Sequence, residues 1–419
     1  MLGSWRLPWA VVLSCALVTY GSENWSRFRG PNGQGISEAE TIPVKWSADD
    51  YLWKVELPGE GHSSPVVWED RVFVTCADEK GVRGHVLCLD ASDGGRHWQK
   101  TYDFSKYPLN SLNSFASATP AVDAEGVCVL WPGAEVTTVA ALGHDGTEQW
   151  TVKLPGVQTQ HGAGSSPILH DDLVIVSHEQ DEKRSETPSR WVALDRRTGR
   201  TRWRHEHPKN ARASYSTPCI YRDGRGREQV IFTSNLYGVA ALDPGTGELL
   251  WQSAEPLPAR VVASPVIAGD LIVGTCGRGG RGVRLTAVNP PRTGGARETY
   301  GLDRGVVPYV PTPIVHDGLL FLFHDQGTVS CLRSGTGEVL WSEKPAGRYY
   351  GSPVCVGGRL YCITVEGEVV VLEAGPEYRL LGVNPLGEKS HATPAVGGGR
   401  MYLRTLSHLI AIGNPQKGG

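Results

Sequence analysis

The sequence predicts an all-β fold, an eight-bladed β-propeller of four-stranded antiparallel blades, and three observations support this prediction. A Ser-Pro or Thr-Pro pair opens an apolar run eight times, at intervals of 40 to 55 residues, which is the spacing expected of propeller blades. A Gly-containing turn followed by Trp recurs within most repeats, and the chain begins with a strand that its end lacks. The prolines of the eight pairs are Pro65, Pro120, Pro167, Pro218, Pro265, Pro313, Pro353 and Pro394.

One repeat, residues 312–347, shows how a blade is built. It reads TPIVHDGLLFLFHDQGTVSCLRSGTGEVLWSEKPAG, four short apolar runs separated by turns that contain Gly or Asp. Antiparallel hairpins need such turns, because tight connections require positive φ. The repeat closes at a Trp that is expected to pack between blades. The tryptophans at this position are Trp53, Trp98, Trp150, Trp203, Trp251 and Trp341. Blade five has Thr299 where Trp is expected, and blade seven has Arg379 and Leu380.

The eighth repeat runs out of chain near Ile412, before a fourth strand. Residues 52–59, LWKVELPG, closely match 149–156, QWTVKLPG. We therefore expect the N-terminal strand to complete the last blade and close the ring, which removes an open sheet edge. The propeller is predicted to span residues 51–413, followed by a tail at 414–419.

The N-terminal residues indicate export. Residues 1–21 carry Arg6 and an apolar run from Leu7 to Val18, which predicts a cleaved signal peptide. A lipid anchor at Cys15 and an uncleaved anchor remain alternatives. The chain is expected in the periplasm or cell envelope, without a membrane span after cleavage.

Residues 22–50 form a Gly/Pro-rich segment that is predicted to be a clasp across the blades. Its centre reads WSRFRGPNGQGIS at 25–37, with Trp25 and Phe28 as expected anchors. A ligand loop is the alternative. The segment does not match a phosphate-binding loop, because no strand precedes it and no GK[ST] opens a helix.

Charge and cysteine usage restrict the function classes. The net charge of −3 gives no sign of a nucleic-acid partner. The cysteines that follow the predicted signal peptide stand singly within strand patterns, so buried free thiols are expected. Bridges between Cys76 and Cys88 or between Cys355 and Cys362 remain possible in an oxidising compartment. The cysteines are Cys76, Cys88, Cys128, Cys219, Cys276, Cys331, Cys355 and Cys362.

Three insertions interrupt the repeats, at Asp103–Ser114, Glu179–Arg190 and Arg278–Arg284. Each is expected to be a solvated loop, and the arginine-rich third loop could also bind an anionic partner.

A candidate site follows from register. The first strand of each blade lines the central channel, so the residues just before each proline should lie at its mouth. Cations and aromatic rings near these positions suit a small anionic, partly planar ligand; the alternative is that they only fill the mouth. The candidate binding residues are His62, Tyr215, Arg260, Tyr309, Arg348, Tyr350, Lys389 and His391.

Other chemistry is not indicated. The histidines lack zinc-site spacing, G-x-S-x-G is absent, and no metal-ligand pattern is found. Asp90, Asp195 and Asp243 recur at one turn, where side chain-to-backbone hydrogen bonds explain them. No catalytic residue can be named.

The repeat ALDPGTGELLW at 241–251 resembles the tryptophan-docking repeat of quinoprotein-type eight-bladed propellers, and the likeness extends over about 51–413. Residues 25–37 are similar to the start of exported PQQ-like propellers of planctomycete-type bacteria. The resemblance implies the fold and an exported location. It leaves function open, because such repeats build both pyrroloquinoline-quinone (PQQ) dehydrogenases and the non-enzymatic propeller lipoprotein of the outer-membrane barrel-assembly machinery.

Two functions are therefore expected. The first is a non-catalytic binding or scaffold platform in the cell envelope, with an envelope protein or a small anionic ligand as its partner. The second is a PQQ-dependent alcohol or sugar dehydrogenase with PQQ and Ca²⁺ at the channel mouth. Against the second, the chain lacks the vicinal disulfide and the long ligand-bearing loops that such enzymes carry.

Overall fold

The structure is a computed structural model that describes residues 24–40, 42–78, 82–291 and 295–413. The predicted signal peptide (1–21), the possible lipid anchor at Cys15 and the predicted tail (414–419) lie outside the described residues. Within those residues, none of the helices has the length and apolar character that a membrane crossing requires.

Two 3₁₀ turns, Pro31–Gly33 and Ala48–Asp50, and two strands, β1 (Ile36–Ser37) and β2 (Trp53–Glu56), precede the first repeat. The strands of blades one to four are β3 (Val66–Trp68), β4 (Arg71–Asp78), β5 (Arg83–Asp90), β6 (Arg96–Asp103), β7 (Ala121–Asp123), β8 (Gly126–Trp131), β9 (Val136–Leu142), β10 (Glu148–Pro155), β11 (Ile168–His170), β12 (Leu173–His178), β13 (Arg190–Asp195), β14 (Thr201–Glu206), β15 (Cys219–Arg222), β16 (Glu228–Ser234), β17 (Gly238–Leu242) and β18 (Leu249–Gln252).

The strands of blades five to eight are β19 (Val266–Ala268), β20 (Leu271–Arg278), β21 (Arg281–Asn289), β22 (Arg297–Asp303), β23 (Ile314–His316), β24 (Leu319–Phe323), β25 (Val329–Arg333), β26 (Val339–Glu343), β27 (Val354–Val356), β28 (Arg359–Ile363), β29 (Glu368–Glu373), β30 (Leu380–Pro385), β31 (Ala395–Gly397), β32 (Arg400–Arg404) and β33 (His408–Gly413). Each blade is a sheet of four consecutive antiparallel strands, except that β2 supplies the fourth strand of blade eight. The predicted eight-bladed all-β propeller is confirmed.

The ring closes where the sequence predicted. β2 pairs with β33 in antiparallel register, from Trp53 opposite Ala411 to Glu56 opposite His408. The middle strands of a blade are buried on both faces because the blade packs between two neighbours, whereas the outer strand β6 alternates between exposed and half-buried residues. The apolar core accordingly consists of clusters that each join adjacent blades.

A closed ring of hydrogen bonds explains why Ser or Thr precedes each blade proline. The backbone N–H of each of these residues donates to the side-chain hydroxyl of its counterpart in the next blade, over 2.9 to 3.2 Å, and the residues are all buried. The pairs run from Ser64 to Thr119, Ser166, Thr217, Ser264, Thr312, Ser352, Thr393 and back to Ser64. A short polar side chain is needed there to satisfy a buried N–H.

The tryptophans join neighbouring blades. In five blades the indole Nε1 donates to a carbonyl oxygen in the turn between the third and fourth strands of the following blade. The bonds run from Trp53 to Ala91, Trp98 to His144, Trp150 to Arg196, Trp203 to Pro244 and Trp341 to Gly375. The ring of Trp53 lies so close to Gly94, where φ is +76°, that a side chain there would collide with it. Trp251 differs, because its indole donates to Gln229 within its own blade.

The sequence placed the two irregular repeats incorrectly. In blade five a bulge at Thr299 shifts the register, so that Tyr300 occupies the position opposite Ala287 that Trp occupies elsewhere. Tyr300 donates its hydroxyl to Ser334 O in blade six. In blade seven the same bulge leaves Gly382 at that position. A docking residue has nothing to contact there, because blade eight takes its fourth strand from the N-terminus and has no hairpin turn between its third and fourth strands.

The N-terminal segment 24–37 runs through the ring against the innermost strands. Trp25 pairs with Val67 of blade one, and β1 adds in parallel to β27 of blade seven. Further bonds reach blades two, four, five and six, including one from the Arg29 guanidinium to Pro313 O. Trp25 is fully buried. The segment thus ties the blades together from inside the channel.

The eight described cysteines are buried and free, so neither bridge left open by the sequence is formed. Cys76 and Cys88 belong to different core clusters. Their registers, Cys76 opposite His85 and Cys88 opposite Phe73, place the two side chains on opposite faces of the blade.

Candidate functional site

The channel mouth holds a cavity of about 450 Å³, a size typical of small-ligand sites. All eight residues that stand three positions before the blade prolines line it, because each begins the connection into an innermost strand. These residues are His62, Ser117, Gly164, Tyr215, Val262, Val310, Tyr350 and His391. The predicted geometry of the mouth is therefore correct, whereas ligand binding there remains a prediction.

The bottom of the cavity is formed by Phe28 and by the hydroxyl ring, the eight Ser and Thr residues that precede the blade prolines. Phe28 comes from the segment that runs through the channel, so the cavity opens toward one face of the propeller. The sequence named Phe28 as an anchor of that segment; in the structure it faces the cavity instead. Each ring hydroxyl accepts a backbone N–H, and its own proton has no described acceptor.

One wall consists of aromatic rings in mutual contact, from the entries to blades seven, eight and one. The imidazoles of His62 and His391 have centroids 4.3 Å apart, and Tyr350 packs edge-on against His391 at 5.0 Å. His391 Nδ1 lies 3.2 Å from Leu112 O, in the first insertion. Burial, together with His391 and Arg404, holds the pKa of His62 well below its usual range. This wall is therefore uncharged at neutral pH.

The adjoining wall, at the entry to blade six, is positioned by a buried carboxylate. Tyr309 lies against Gly277, where a Cβ would approach the phenol ring to 2.4 Å. Asp325 accepts the backbone N–H groups of Tyr309 and Val310 at 2.7 and 3.1 Å. Burial raises the pKa of Asp325 to about 6. No local sequence pattern indicates this role, since Asp325 occupies an ordinary turn position.

A second carboxylate supports Tyr215. Glu179 accepts Ser214 N at 3.0 Å and Trp191 Nε1 at 3.1 Å, and it lines a small cavity of about 20 Å³ beside Tyr215. Burial raises the pKa of Glu179 to about 7. The second insertion was predicted to be a solvated loop. Its tip is exposed, but Glu179 and Asp181 at its base turn inward.

The predicted cations stand behind or beside the walls. Arg260 is buried and donates to Asp181 at 3.1 Å and to the hydroxyl of Tyr215 at 3.2 Å. Arg348 is paired with Glu366 at 3.1 Å, and Lys389 is not among the lining residues. Within the described part of the chain, the cavity lining contains no Asp, Glu, Lys or Arg. The cavity is thus polar and aromatic but formally uncharged.

Sequence reasoning missed part of the lining. Asn110 and Asn113 come from the first insertion, which was predicted to be solvated, and His161 lies across the mouth from His391's wall. Asn110 Nδ2 lies 3.2 Å from His161 Nδ1, so the insertion is fastened to the next blade. The pair of asparagines within four residues was the available signal.

One group of side chains could share a metal ion. His170, Asp171 and Glu228 bring their ligand atoms within 4.8 Å of one another at the turns of blades three and four that lie away from the mouth. His170 Nε2 lies 3.1 Å from Glu228, and Arg222 also bonds to Glu228 at 2.5 Å. Because the Glu228 carboxylate is already paired with Arg222, ion pairing explains why these side chains lie together.

Comparisons with known proteins agree with this architecture. The outer membrane protein assembly factor BamB of Yersinia pestis is 23% identical over 339 residues, which cover 79% of this chain and 68% of that protein. The structure of BamB from Moraxella catarrhalis has a TM-score of 0.60 at 16% identity and covers 87% of this chain and 97% of that chain. The structure of the quinohemoprotein alcohol dehydrogenase of Comamonas testosteroni has a TM-score of 0.66 at 14% identity, and the match covers 95% of this chain and 82% of that chain.

The two solved structures share the fold alone, since both are distant in sequence. The family model described as outer membrane protein assembly factor BamB matches residues 48–225, 135–374 and 284–418, which together span most of the sequence. The repeats, the ring closure and this match lead to one conclusion: the chain belongs to the BamB family of outer membrane protein assembly factors.

Proposed function

We propose that the protein is an exported, non-catalytic binding platform of the cell envelope, and that its channel mouth holds a segment of a partner protein. The observation that carries this proposal is the aromatic cavity of about 450 Å³ at the channel mouth, whose described lining contains no Asp, Glu, Lys or Arg. Such a cavity can bury an apolar or aromatic side chain without leaving a charge unpaired. Membership of a family of assembly factors supports a protein partner, and the apolar run at 7–18 supports export.

The lining argues against catalysis at the mouth. His62 and His391 both have pKa values lowered mainly by burial. Neither histidine has a carboxylate bonded to its ring nitrogens in the described part of the chain, so the acid–base relay of a hydrolase is not assembled. The hydroxyl ring is committed to backbone N–H groups, which is a structural role.

The PQQ alternative fits the lining poorly. PQQ carries three carboxylates, and Ca²⁺ takes hard oxygen ligands, mainly carboxylates and carbonyls. The described lining offers no Asp, Glu, Lys or Arg side chain, while Arg260 and Arg348 are already paired with Asp181 and Glu366. These residues do not match the charge of the cofactor.

A thermal-unfolding scan with excess PQQ and Ca²⁺ tests this conclusion. We expect no change in Tm, whereas a ligand at about a hundred times its Kd would add roughly 2.7 kcal/mol to the native state. A quinoprotein dehydrogenase treated in the same way provides the positive control. A reproducible rise in Tm would overturn the proposed platform function in favour of a PQQ-dependent oxidoreductase. Dye-reduction assays with alcohols and sugars would then be the next measurement.

Filling the cavity tests the platform itself. Gly164 lines the cavity and has ordinary φ, and a Cβ there would meet only Tyr215 Cβ, at 3.6 Å. The variant Gly164→Leu should therefore fold normally and obstruct the mouth. Gly224, in the turn between β15 and β16 away from the mouth, has no heavy atom within 4 Å of such a Cβ, so Gly224→Leu is a matched control.

The measurement is recovery of envelope proteins on the three immobilised proteins, quantified by mass spectrometry. We expect at least one protein to bind the wild type and Gly224→Leu equally and to be depleted on Gly164→Leu. Equal recovery on all three would show that the mouth is not the binding surface. Tm measurements verify that both variants are folded.

A further inference from the structure

One sector of the mouth rim carries exposed arginines beside the uncharged cavity. The hairpin between β20 and β21 presents Arg278 and Arg281, both exposed, on either side of Gly279 and Gly280. These two glycines line the cavity. The charged side chains therefore start at the edge of the cavity and not at a distant part of the surface.

The position of this hairpin is determined by the wall beneath it. Gly277 packs directly against the ring of Tyr309, and Gln326 of blade six donates to Gly280 O at 3.0 Å. The hairpin is thus held over the blade five to blade six side of the mouth. Its arginine side chains are exposed, and its backbone is anchored to blade six.

A third exposed arginine comes from the connection into blade four. Arg212 is exposed. Burial raises the pKa of Tyr309 to about 12, and Arg260 and Arg212 are close enough to oppose that rise. Arg278 and Arg281 thus lie at the Tyr309 side of the cavity, and Arg212 lies within electrostatic range of Tyr309.

The acidic side chains near these arginines are paired with other cations or buried. Asp181 pairs with Arg260, and Asp303 and Glu298 both pair with Arg284, lower in the same hairpin. Asp325 is buried beneath Tyr309. Among the described residues, Arg212, Arg278 and Arg281 have no carboxylate within ion-pair distance. A one-sign cluster at the edge of a low-dielectric cavity concentrates its field there.

We propose that the mouth recognises an acidic peptide segment: an aromatic or large aliphatic side chain enters the cavity, and flanking carboxylates bond to Arg212, Arg278 and Arg281. This inference rests on the proposed function and specifies its partner. Charge complementarity determines the acidic character, since guanidinium groups bind carboxylates with directed, charge-assisted bonds. The size of the cavity, about 450 Å³, suits a side chain and is too small for a folded domain.

The test is a selection of peptides from a random phage-displayed library on the immobilised protein. Enriched sequences should combine several Asp or Glu residues with an aromatic or large aliphatic residue. The affinity of a selected peptide, measured by fluorescence anisotropy, should fall steeply with added salt because exposed charges are screened.

Three variants locate the contacts. The double variant Arg278→Glu/Arg281→Glu should lower the affinity for the selected peptide by about tenfold or more, because attraction becomes like-charge repulsion. Arg225→Glu, in the exposed turn between β15 and β16, should leave the affinity unchanged. Gly164→Leu should also lower the affinity for the peptide, because the side chain of the peptide can no longer enter the cavity.

The outcomes separate the two proposals. Selected peptides without acidic bias, or an affinity insensitive to the double charge reversal, overturn the rim assignment; if Gly164→Leu still weakens such peptides, the binding platform at the mouth stands. A library that yields no binders also overturns the acidic-peptide proposal. Recovery of envelope proteins, the test of the platform, does not depend on the library.

Discussion

Replacing Trp53 by Ala should destabilise the protein more than any other single substitution of a tryptophan that joins two blades. Trp53 is buried, donates to Ala91 O and packs under Gly94 of blade one. Truncation of a buried aromatic residue costs about 3 to 5 kcal/mol. Trp53 also lies on β2, which is held in blade eight by pairing with β33 and not by a hairpin.

Trp203 provides the matched comparison. It is buried to the same degree, bonds to Pro244 O and packs under Gly247, but it lies within a blade whose strands follow one another in the chain. We expect the Tm of Trp53→Ala to fall below that of Trp203→Ala, because loosening β2 also exposes the edge of β33. Equal Tm values in a calorimetric comparison would show that the closure is no weaker than the other blade contacts.

Glu179 should make the protein less stable as the pH rises toward neutrality. Its folded-state pKa is about 7, compared with an ordinary value of 4.5, so the folded state holds this proton more tightly than the unfolded state. The stabilisation is fully present below about pH 4.5 and is lost as the pH rises through about 7. At about 1.36 kcal/mol per pKa unit, the loss is up to about 3 kcal/mol.

Glu179→Gln should remove this dependence, because its side chain cannot ionise. We expect the unfolding free energy of the variant, relative to wild type, to rise between about pH 5 and pH 8. The difference isolates Glu179 from His178 and His207, whose pKa values of about 4 and about 3, lowered chiefly by burial, act in the opposite direction on acidification. The control is Glu182→Gln, at the exposed tip of the same insertion; a parallel pH profile for both variants would contradict the role given to Glu179.

The location of the channel mouth could be predicted because it depends on register alone. Each blade proline starts an innermost strand, and the eight residues three positions earlier, from His62 to His391, all lie in the lining. The predicted Arg260, Arg348 and Lys389 do not. The errors at the docking positions came from the same counting where a bulge intervened. Thr299 was taken for the docking position, whereas the bulge in blade five moves Tyr300 into it.

Register does not show which charged side chains near the mouth are paired. Arg260 seemed free in the sequence, but its partner Asp181 lies 79 residues earlier and in another blade. Arg278 and Arg281, which are exposed beside the cavity, belong to an insertion for which an anionic partner was only one of two interpretations.

The number of blades, the closure by the N-terminal strand and the residues around the mouth can be predicted from the amino-acid sequence, because they follow from repeat spacing and local turn chemistry. Only the folded protein shows which charges are neutralised, which carboxylates are buried and that Phe28 lies at the bottom of the cavity. These features depend on side chains from distant repeats, which meet only when the blades pack into a closed ring.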